Sequence, residues 1–348
     1  MIKVGSDFSG VGAFNQALMR LGIEYDEVFA CDMDKHARET FIHNYGNPKY
    51  YPKDVYEREI PKESLDIYMT SPPCQAFSNN GKNLGKDDKR GILFYNSHEF
   101  IKHNKPKYFI IENVRGLLSD DDGKTFREWL NLLAGKSVNG LPVLFKHQNS
   151  VPYHIYYKVV TAKKHGVPQN RERVFIVGIR DDADNNFRWP KEENLEKKLI
   201  DVLEKNVSKD YAIDFNKIKY LLINEGSRIL DNDNKKYLFK NNNIRIRANN
   251  IKGHDVLTNQ DSLTISFIKS KTRNGRIGKQ ISQTIDTSCN IAVIDDYSIR
   301  RLTPRECFRL MDFPDTFTWN CSDSQAYKQA GNSIVVRCLE LIIKQFNL

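Results

Sequence analysis

The sequence predicts an α/β fold, a parallel sheet flanked by helices, joined to a second and smaller domain. Two observations predict it. Short β-rich runs alternate with helical patterns through the first half, the order that a helix-covered parallel sheet requires. After Trp189-Pro190 the texture changes to Lys, Asn and Asp with weak periodicity, which marks a domain boundary.

The candidate strands are Val28-Phe29-Ala30, Ile67-Tyr68-Met69, Tyr108-Phe109-Ile110-Ile111 and Val174-Phe175-Ile176-Val177. Val11, Phe14, Leu18 and Leu21 repeat at helical spacing and stop at Gly22, a C-terminal cap. Order returns at Thr303-Pro304-Arg305-Glu306, where Thr as N-cap, Pro at the first helical position and Glu at the third make a capping box, and Pro314 ends that helix. Ile334, Val335, Leu339, Ile342, Ile343 and Phe346 form a last amphipathic helix, with Asn332 and Ser333 as its cap candidates. The domains are read as 1–189, a smaller one at 190–295, and 296–348 returning to the first.

Composition narrows the function. The 348 residues carry 53 Lys+Arg against 44 Asp+Glu, a net charge of +9 that favours a polyanionic partner. From Lys240 to Lys279 nine basic residues face two Asp, so the excess is concentrated there. A mean hydropathy of −0.58 and the lack of any apolar run near ~18 residues argue against a membrane span. The start of the chain lacks the order of a secretory signal, so the cytoplasm is expected. Six cysteines without a Cys-x-x-Cys pair, and histidines without ligand spacing, indicate neither a disulfide framework nor a metal site.

Several segments carry chemistry. Ser6 to Phe14 joins a strand to a helix through a glycine-containing turn, where backbone approaches a ligand closely or simply turns. Ala30-Cys31-Asp32-Met33-Asp34 ends a strand with carboxylates, and Asp32 is placed either to hydrogen-bond a ribose or to cap a helix. Thr70 to Ser78 is the sharpest signal. Cys74 follows a buried-looking strand and two rigid prolines, at the sheet's carboxyl end, where ligands bind in open α/β sheets. A lone cysteine is commonly an inert buried thiol, and its neighbours here reverse that reading.

Those neighbours resemble the cytosine-C5 methyltransferases that use S-adenosylmethionine. The likeness runs along nearly the whole chain and in the family's order: Phe8-Ser9-Gly10-Val11-Gly12, Pro73-Cys74-Gln75, Glu112-Asn113-Val114, Gln169-Asn170-Arg171-Glu172-Arg173, Arg301 to Glu306, and Gln329-Ala330-Gly331-Asn332-Ser333. It implies a Rossmann-like S-adenosylmethionine-dependent catalytic domain with a smaller target-recognition domain. The implied activity is methyl transfer to C5 of a specific cytosine in double-stranded DNA, as in bacterial restriction-modification, with S-adenosylhomocysteine as product.

Cytosine C5 is a poor nucleophile, and the resemblance implies that the Cys74 thiolate attacks C6 to make C5 reactive. A free thiol titrates near roughly 8.5, so Cys74 needs an electropositive setting, for which Arg171 and Arg173 are candidates. Glu112 would meet the density pushed toward N3, and its apolar approach raises a carboxyl pKa. Gln169, Arg171 and Arg173 alternate before a strand, so both arginines point to one face. The family pattern makes Arg173 the base contact and Arg171 the phosphate contact.

For the methyl donor, the resemblance implies Phe8 and Met33 on the adenine, the Ser9, Gly10 and Gly12 backbone around the methionine end, and Asp32 on the ribose. Asp54, beside Val55, would accept from the adenine amino group, with Pro73, Leu93, Asn332 and Ser333 completing the pocket. The target base is flipped out, since Cys74 cannot reach it inside a duplex. Gln75, Ser78, Gln169, Arg245, Arg247, Arg273 and Arg276 are the expected DNA contacts, the last four in the basic stretch. A monomer paired functionally with a restriction endonuclease completes the expectation. One departure stands out: the family's Asp-Leu-Phe is here Ser6-Asp7-Phe8, which moves the carboxylate to the other face of the strand and away from the cofactor.

Overall fold

The computed structural model describes residues 1–73, 93–183, 187–213, 244–247, 251–266, 276–295 and 298–348. Cys74, Gln75, Ser78 and Arg273 lie outside the described residues. Nine strands are described before residue 181: β1 (Ile2–Asp7), β2 (Tyr25–Cys31), β3 (Ile67–Thr70), β4 (Tyr108–Val114), β5 (Ser137–Val138), β6 (Leu141–Pro142), β7 (Tyr153–Thr161), β8 (Gln169–Asn170) and β9 (Glu172–Arg180). All but β8 form one sheet in the order β2-β1-β3-β4-β9-β7-β5-β6.

Each predicted strand lies within one of these, but the sheet is mixed. β1 through β4 pair in parallel, whereas β9, which holds Val174 to Val177, runs antiparallel to both β4 and β7. The reason is chain length. Thr161 and Glu172 pair directly and are joined by residues 162–171, which hold one turn of helix and β8, whereas a parallel return needs a crossover of roughly a dozen or more residues along the sheet. An apolar run buried on both faces reads the same in either direction.

Alternation along the strands divides the core. Val4, Ile67, Met69, Tyr108 and Ile110 face one side, with α1 (Ala13–Arg20) and the C-terminal helices. Phe29, Tyr68, Phe109 and Ile111 face the other, with α3 (Leu93–Asn104) and α4 (Lys124–Leu133), where Phe94 stacks on Trp129 at 3.8 Å between centroids. Helix α2 (Lys35–Tyr45) is capped by Asp34, whose carboxylate accepts from His36 and Ala37 N–H, so Asp32 is not the cap.

After the basic stretch begins, β10 (Ile244–Arg247) pairs with β11 (His254–Leu257). A four-stranded sheet is built from β12 (Ser262–Thr264), β13 (Ile277–Gly278), β15 (Ile291–Asp295) and β16 (Ser298–Arg301), over a small core of Ile213, Ile246, Leu257, Leu263, Ala292, Ile294 and Ile299. Contacts are described on either side of both expected boundaries. Leu199 and Val202 pack in the large core with Phe187, two apolar anchors in an otherwise polar stretch. At the other end β15 and β16 pair across position 296, which keeps 298–301 in the small sheet.

The return segment comprises α5 (Pro304–Leu310), α6 (Asp323–Asn332) and α7 (Val336–Ile343). The capping box is present: Thr303 Oγ1 accepts from Glu306 N–H at 3.2 Å, and Glu306 accepts from Thr303 N–H at 2.8 Å. Asn332 and Ser333 do not cap α7, as the sequence suggested. Ser333 closes α6, and Val335 precedes α7 with no side-chain cap, because α6 itself extends through Asn332. Among the described residues no helix is long and apolar enough to cross a membrane.

Candidate active site

The turn after β1 is held in an unusual backbone conformation. Phe8, Gly10 and Gly12 have φ of 55°, 54° and 82°, a left-handed sequence that a glycine-poor turn would resist. Gly12 is required twice over, since a Cβ there would also sit 2.3 Å from the Tyr45 ring. Asp32 fastens the turn to β2: its carboxylate accepts from Gly10 N–H at 2.7 Å and from Asp34 N–H at 2.8 Å. Burial nonetheless holds the Asp32 carboxyl above its usual range.

Two further residues frame this loop. Ser9 Oγ and Tyr51 Oη are 3.2 Å apart. Arg38 donates to the carbonyls of Asp32, Tyr51 and Pro52 and lies 3.9 Å over the Tyr51 ring, so one guanidinium joins the Asp32 turn to the segment leading to Asp54. Asp54 is half-buried and accepts from Tyr56 N–H at 3.0 Å, and Val55 is buried. Met33 is 81% exposed beside Asp32. A carboxylate for a diol, apolar Phe8 and Met33, and open space where a Cβ on Gly10 would point make a donor set that fits an adenosyl group.

At the carboxyl end of the sheet, register places the other chemical groups. Thr70 pairs with Ile111, so Glu112 lies one step beyond the end of β3 and Pro72-Pro73 continue from it. Asn113 Nδ2 donates to the Pro72 carbonyl at 3.3 Å, and Ser71 Oγ donates to the Phe8 carbonyl at 3.3 Å. The approach to Cys74 is thereby tied to both the Glu112 strand and the glycine turn. Glu112 is buried, with Oε1 3.0 Å from Arg173 Nε. Burial pushes its carboxyl above the ordinary range, and the guanidinium opposes without cancelling it. This is a carboxyl poised to carry a proton at a higher pH than a surface glutamate.

Arg171 and Gln169 point into the protein, where the alternating pattern suggested an exposed edge. Arg171 is buried, and its guanidinium donates to the carbonyls of Ile285 at 3.0 Å, Gly331 at 3.0 Å and Ser333 at 2.7 Å, so it braces backbone. Gln169 is 0% exposed: its Nε2 donates to Leu310 O at 2.8 Å and its Oε1 accepts from Ile285 N–H at 3.1 Å, which leaves no free amide for DNA. Alternating polar side chains face buried carbonyls here instead of solvent. The two side chains together hold both backbone groups of Ile285, where β14 (Ser282–Gln283) pairs with β8.

The remaining expected residues are spread over the molecule. Leu93 opens α3, half-buried; Asn332 is exposed at the end of α6, and Ser333 is buried. Arg245 on β10 and Arg276 ahead of β13 are exposed, and Arg247 ends β10. A cleft of about 1310 Å³ opens beside Asn332, between Tyr327 and Lys328 of α6, Ser288 and Asn290, and Ile265 near the small sheet. Sequence reading missed Arg38, Tyr51, Arg58 and Ile285. Only the partners' positions in space distinguish them from surface residues.

The family described as C-5 cytosine-specific DNA methylase matches residues 2–347. The type II methyltransferase M.HpaII of Haemophilus parainfluenzae is 31% identical over 340 residues, 96% of this chain and 86% of that protein. M.HhaI of Haemophilus parahaemolyticus is 30% identical over 338 residues, 96% and 91% of the two chains. A mutant of DNMT2 from Spodoptera frugiperda superposes with a TM-score of 0.65 at 18% identity over 99% of both chains. EhMeth of Entamoeba histolytica does so at 0.64 and 19% over 99% of this chain and 97% of that one; both likenesses are of fold. Matched along nearly its whole length, the chain belongs to the C-5 cytosine-specific DNA methylase family, as a DNA (cytosine-5) methyltransferase of the restriction-modification type.

Proposed function

We propose that the protein takes its methyl group from S-adenosylmethionine and delivers it to a cytosine flipped out of double-stranded DNA, through a transient bond between Cys74 Sγ and the base's C6. The observation that carries this reading is the buried Glu112 carboxyl on Arg173 Nε, at the sheet end where Pro72-Pro73 lead to Cys74. When bound, the sulfonium donor supplies an electrophilic methyl group. The protein's own groups do the rest. Cys74 adds as thiolate to C6, Glu112 hydrogen-bonds or protonates N3 as density moves there, and Arg173 orients Glu112 and the base carbonyl. Removal of the C5 proton then lets the thiolate leave.

The Phe8 to Gly12 turn, Asp32, Met33, Asp54, Val55, Pro73, Leu93, Asn332 and Ser333 are proposed to hold the donor. Gln75, Ser78, Arg245, Arg247, Arg273 and Arg276 are proposed to meet DNA, with the cleft beside Asn332 offering room between the domains. The enzyme is proposed to act as a cytoplasmic monomer that protects host DNA from a cognate restriction endonuclease, a reading supported by the type II names of its relatives.

The test is a duplex library carrying 5-fluorocytosine, incubated with S-adenosylmethionine. Fluorine cannot leave as a cation, so the adduct is expected to persist as a denaturant-stable crosslink, lost in Cys74→Ala while DNA binding remains. Absence of any crosslink, with bisulfite sequencing of plasmid from expressing cells showing methylation, overturns the covalent route.

A further inference from the structure

Asp7 is the carboxylate that stands one place late in Ser6-Asp7-Phe8, and the structure gives it an occupation of its own. It is 1% exposed, with Oδ1 accepting from Arg58 Nε at 2.9 Å and Oδ2 from Tyr68 Oη at 2.6 Å. Arg58 is itself 7% exposed, its guanidinium 4.5 Å over the Phe100 ring and 5.7 Å from that of Phe29. An ion pair inside an aromatic box costs desolvation that its Coulombic attraction barely offsets, so stability alone is a poor reason for it.

What the pair joins supplies a better reason. Asp7 ends β1, and Phe8 follows it directly in left-handed backbone. Arg58 follows Asp54 and Val55 in a segment that, among the described residues, shares no strand pairing with β1, whose described ladders run to β2 and β3. The Asp54 segment hangs on β2 by one backbone bond, Ala30 N–H to Tyr50 O at 3.1 Å, and by Arg38, whereas its direct ties to the β1 end and the Phe8 wall are side chains: Ser9 with Tyr51 at the rim, and Asp7 with Arg58 beneath.

We infer that Asp7 and Arg58 are a positioning pair for the methyl-donor site, which sets the spacing of Phe8 and Asp54 across the adenosyl group, in place of the apolar contact that a leucine at position 7 would make. The inference rests on the proposed reading of this turn as the donor site. It makes a double substitution informative, because a buried pair replaced whole by apolar side chains of similar volume is often neutral, whereas a single loss strands a charge.

The experiment is calorimetric titration of the full chain with S-adenosylhomocysteine, with melting temperature and duplex DNA affinity read alongside. The single variants Asp7→Leu and Arg58→Met are expected to weaken S-adenosylhomocysteine by about tenfold or more, with DNA affinity held within about twofold, and the double variant to recover to within about threefold of wild type. Tyr68→Phe, which keeps the volume and removes one bond to Asp7, is the variant of record if the singles do not fold, with about threefold weakening expected. Folded variants that melt lower but bind S-adenosylhomocysteine as wild type does overturn the inference, as does a double variant that loses the product of the two singles. Wild type that fails to bind S-adenosylhomocysteine overturns the reading of the donor site, and the inference with it.

Discussion

Arg173 Nε lies 3.0 Å from Glu112 Oε1, although the residue opposite Arg173 in the β4–β9 ladder is Val114 and the one opposite Glu112 is Phe175. The contact is thus a diagonal one, reached along the sheet face by a long side chain. It holds the carboxyl at the strand end without consuming both of its oxygens. Burial raises the Glu112 pKa, so its proton is retained below the raised value and lost as pH climbs through it. Glu112→Gln is expected to slow single-turnover methyl transfer by about 10²-fold or more and to remove the alkaline fall in rate. S-adenosylhomocysteine affinity is expected to stay unchanged; transfer of labelled methyl groups across pH checks both.

Arg171 and Arg173 are two residues apart and are expected to fail differently. Arg171→Ala leaves three buried carbonyls, of Ile285, Gly331 and Ser333, without their donor, and a fall in Tm on the order of 10 °C is expected. Arg173→Ala is expected to lose activity with little change in Tm. If Arg171→Ala instead keeps its Tm and lowers the salt slope of DNA binding by about one, Arg171 meets phosphate and the bracing role is overturned.

The glycine turn offers a contrast between strain and collision. A Cβ at Gly10 meets nothing within 4 Å, so Gly10→Ala suffers only its left-handed backbone, about 1 kcal/mol. At Gly12 the Tyr45 ring is 2.3 Å away as well, and Gly12→Ala is expected to lose about 3 kcal/mol with at least tenfold weaker S-adenosylhomocysteine binding. Denaturant melts and calorimetry on the two variants measure the difference.

Burial pushes Glu27 up to about 8, beneath α1 where Asn15 donates to one of its oxygens. A carboxyl raised on folding favours the native state fully below its unfolded value and loses that contribution as pH rises toward 8. Glu27→Gln is expected to flatten this decline, melting several degrees above wild type near pH 8.5 and no higher near pH 4. Calorimetric scans across pH test the sign.

The strands were legible because Tyr108, Phe109, Ile110 and Ile111 are apolar on both faces, and the capping box because Thr303 and Glu306 signal locally. The direction of β9 was not, since its apolar run is blind to polarity of chain. At the candidate site the setting of a side chain was legible at Glu112, whose raised carboxyl follows directly on the apolar Phe109-Ile110-Ile111. It was not at Gln169 and Arg171, where the same alternating pattern serves solvent or buried carbonyls equally well. Asp7 and Arg58 are 51 residues apart, and neither residue alone announces the other.

The segment after β16 is stitched to the first strands and helices of the sheet domain. Arg20 reaches Asp312 at 2.5 Å and Glu340 at 3.1 Å, Lys328 reaches Asp34 at 2.5 Å, and Phe346 stacks on Tyr108 at 4.4 Å. That face of the sheet is covered in two parts, by α1 and the residues near Phe187 and Leu199 from the earlier chain and by these helices from the later one. A chain stopped before α5 would leave Arg20, Asp34 and Tyr108 without these partners.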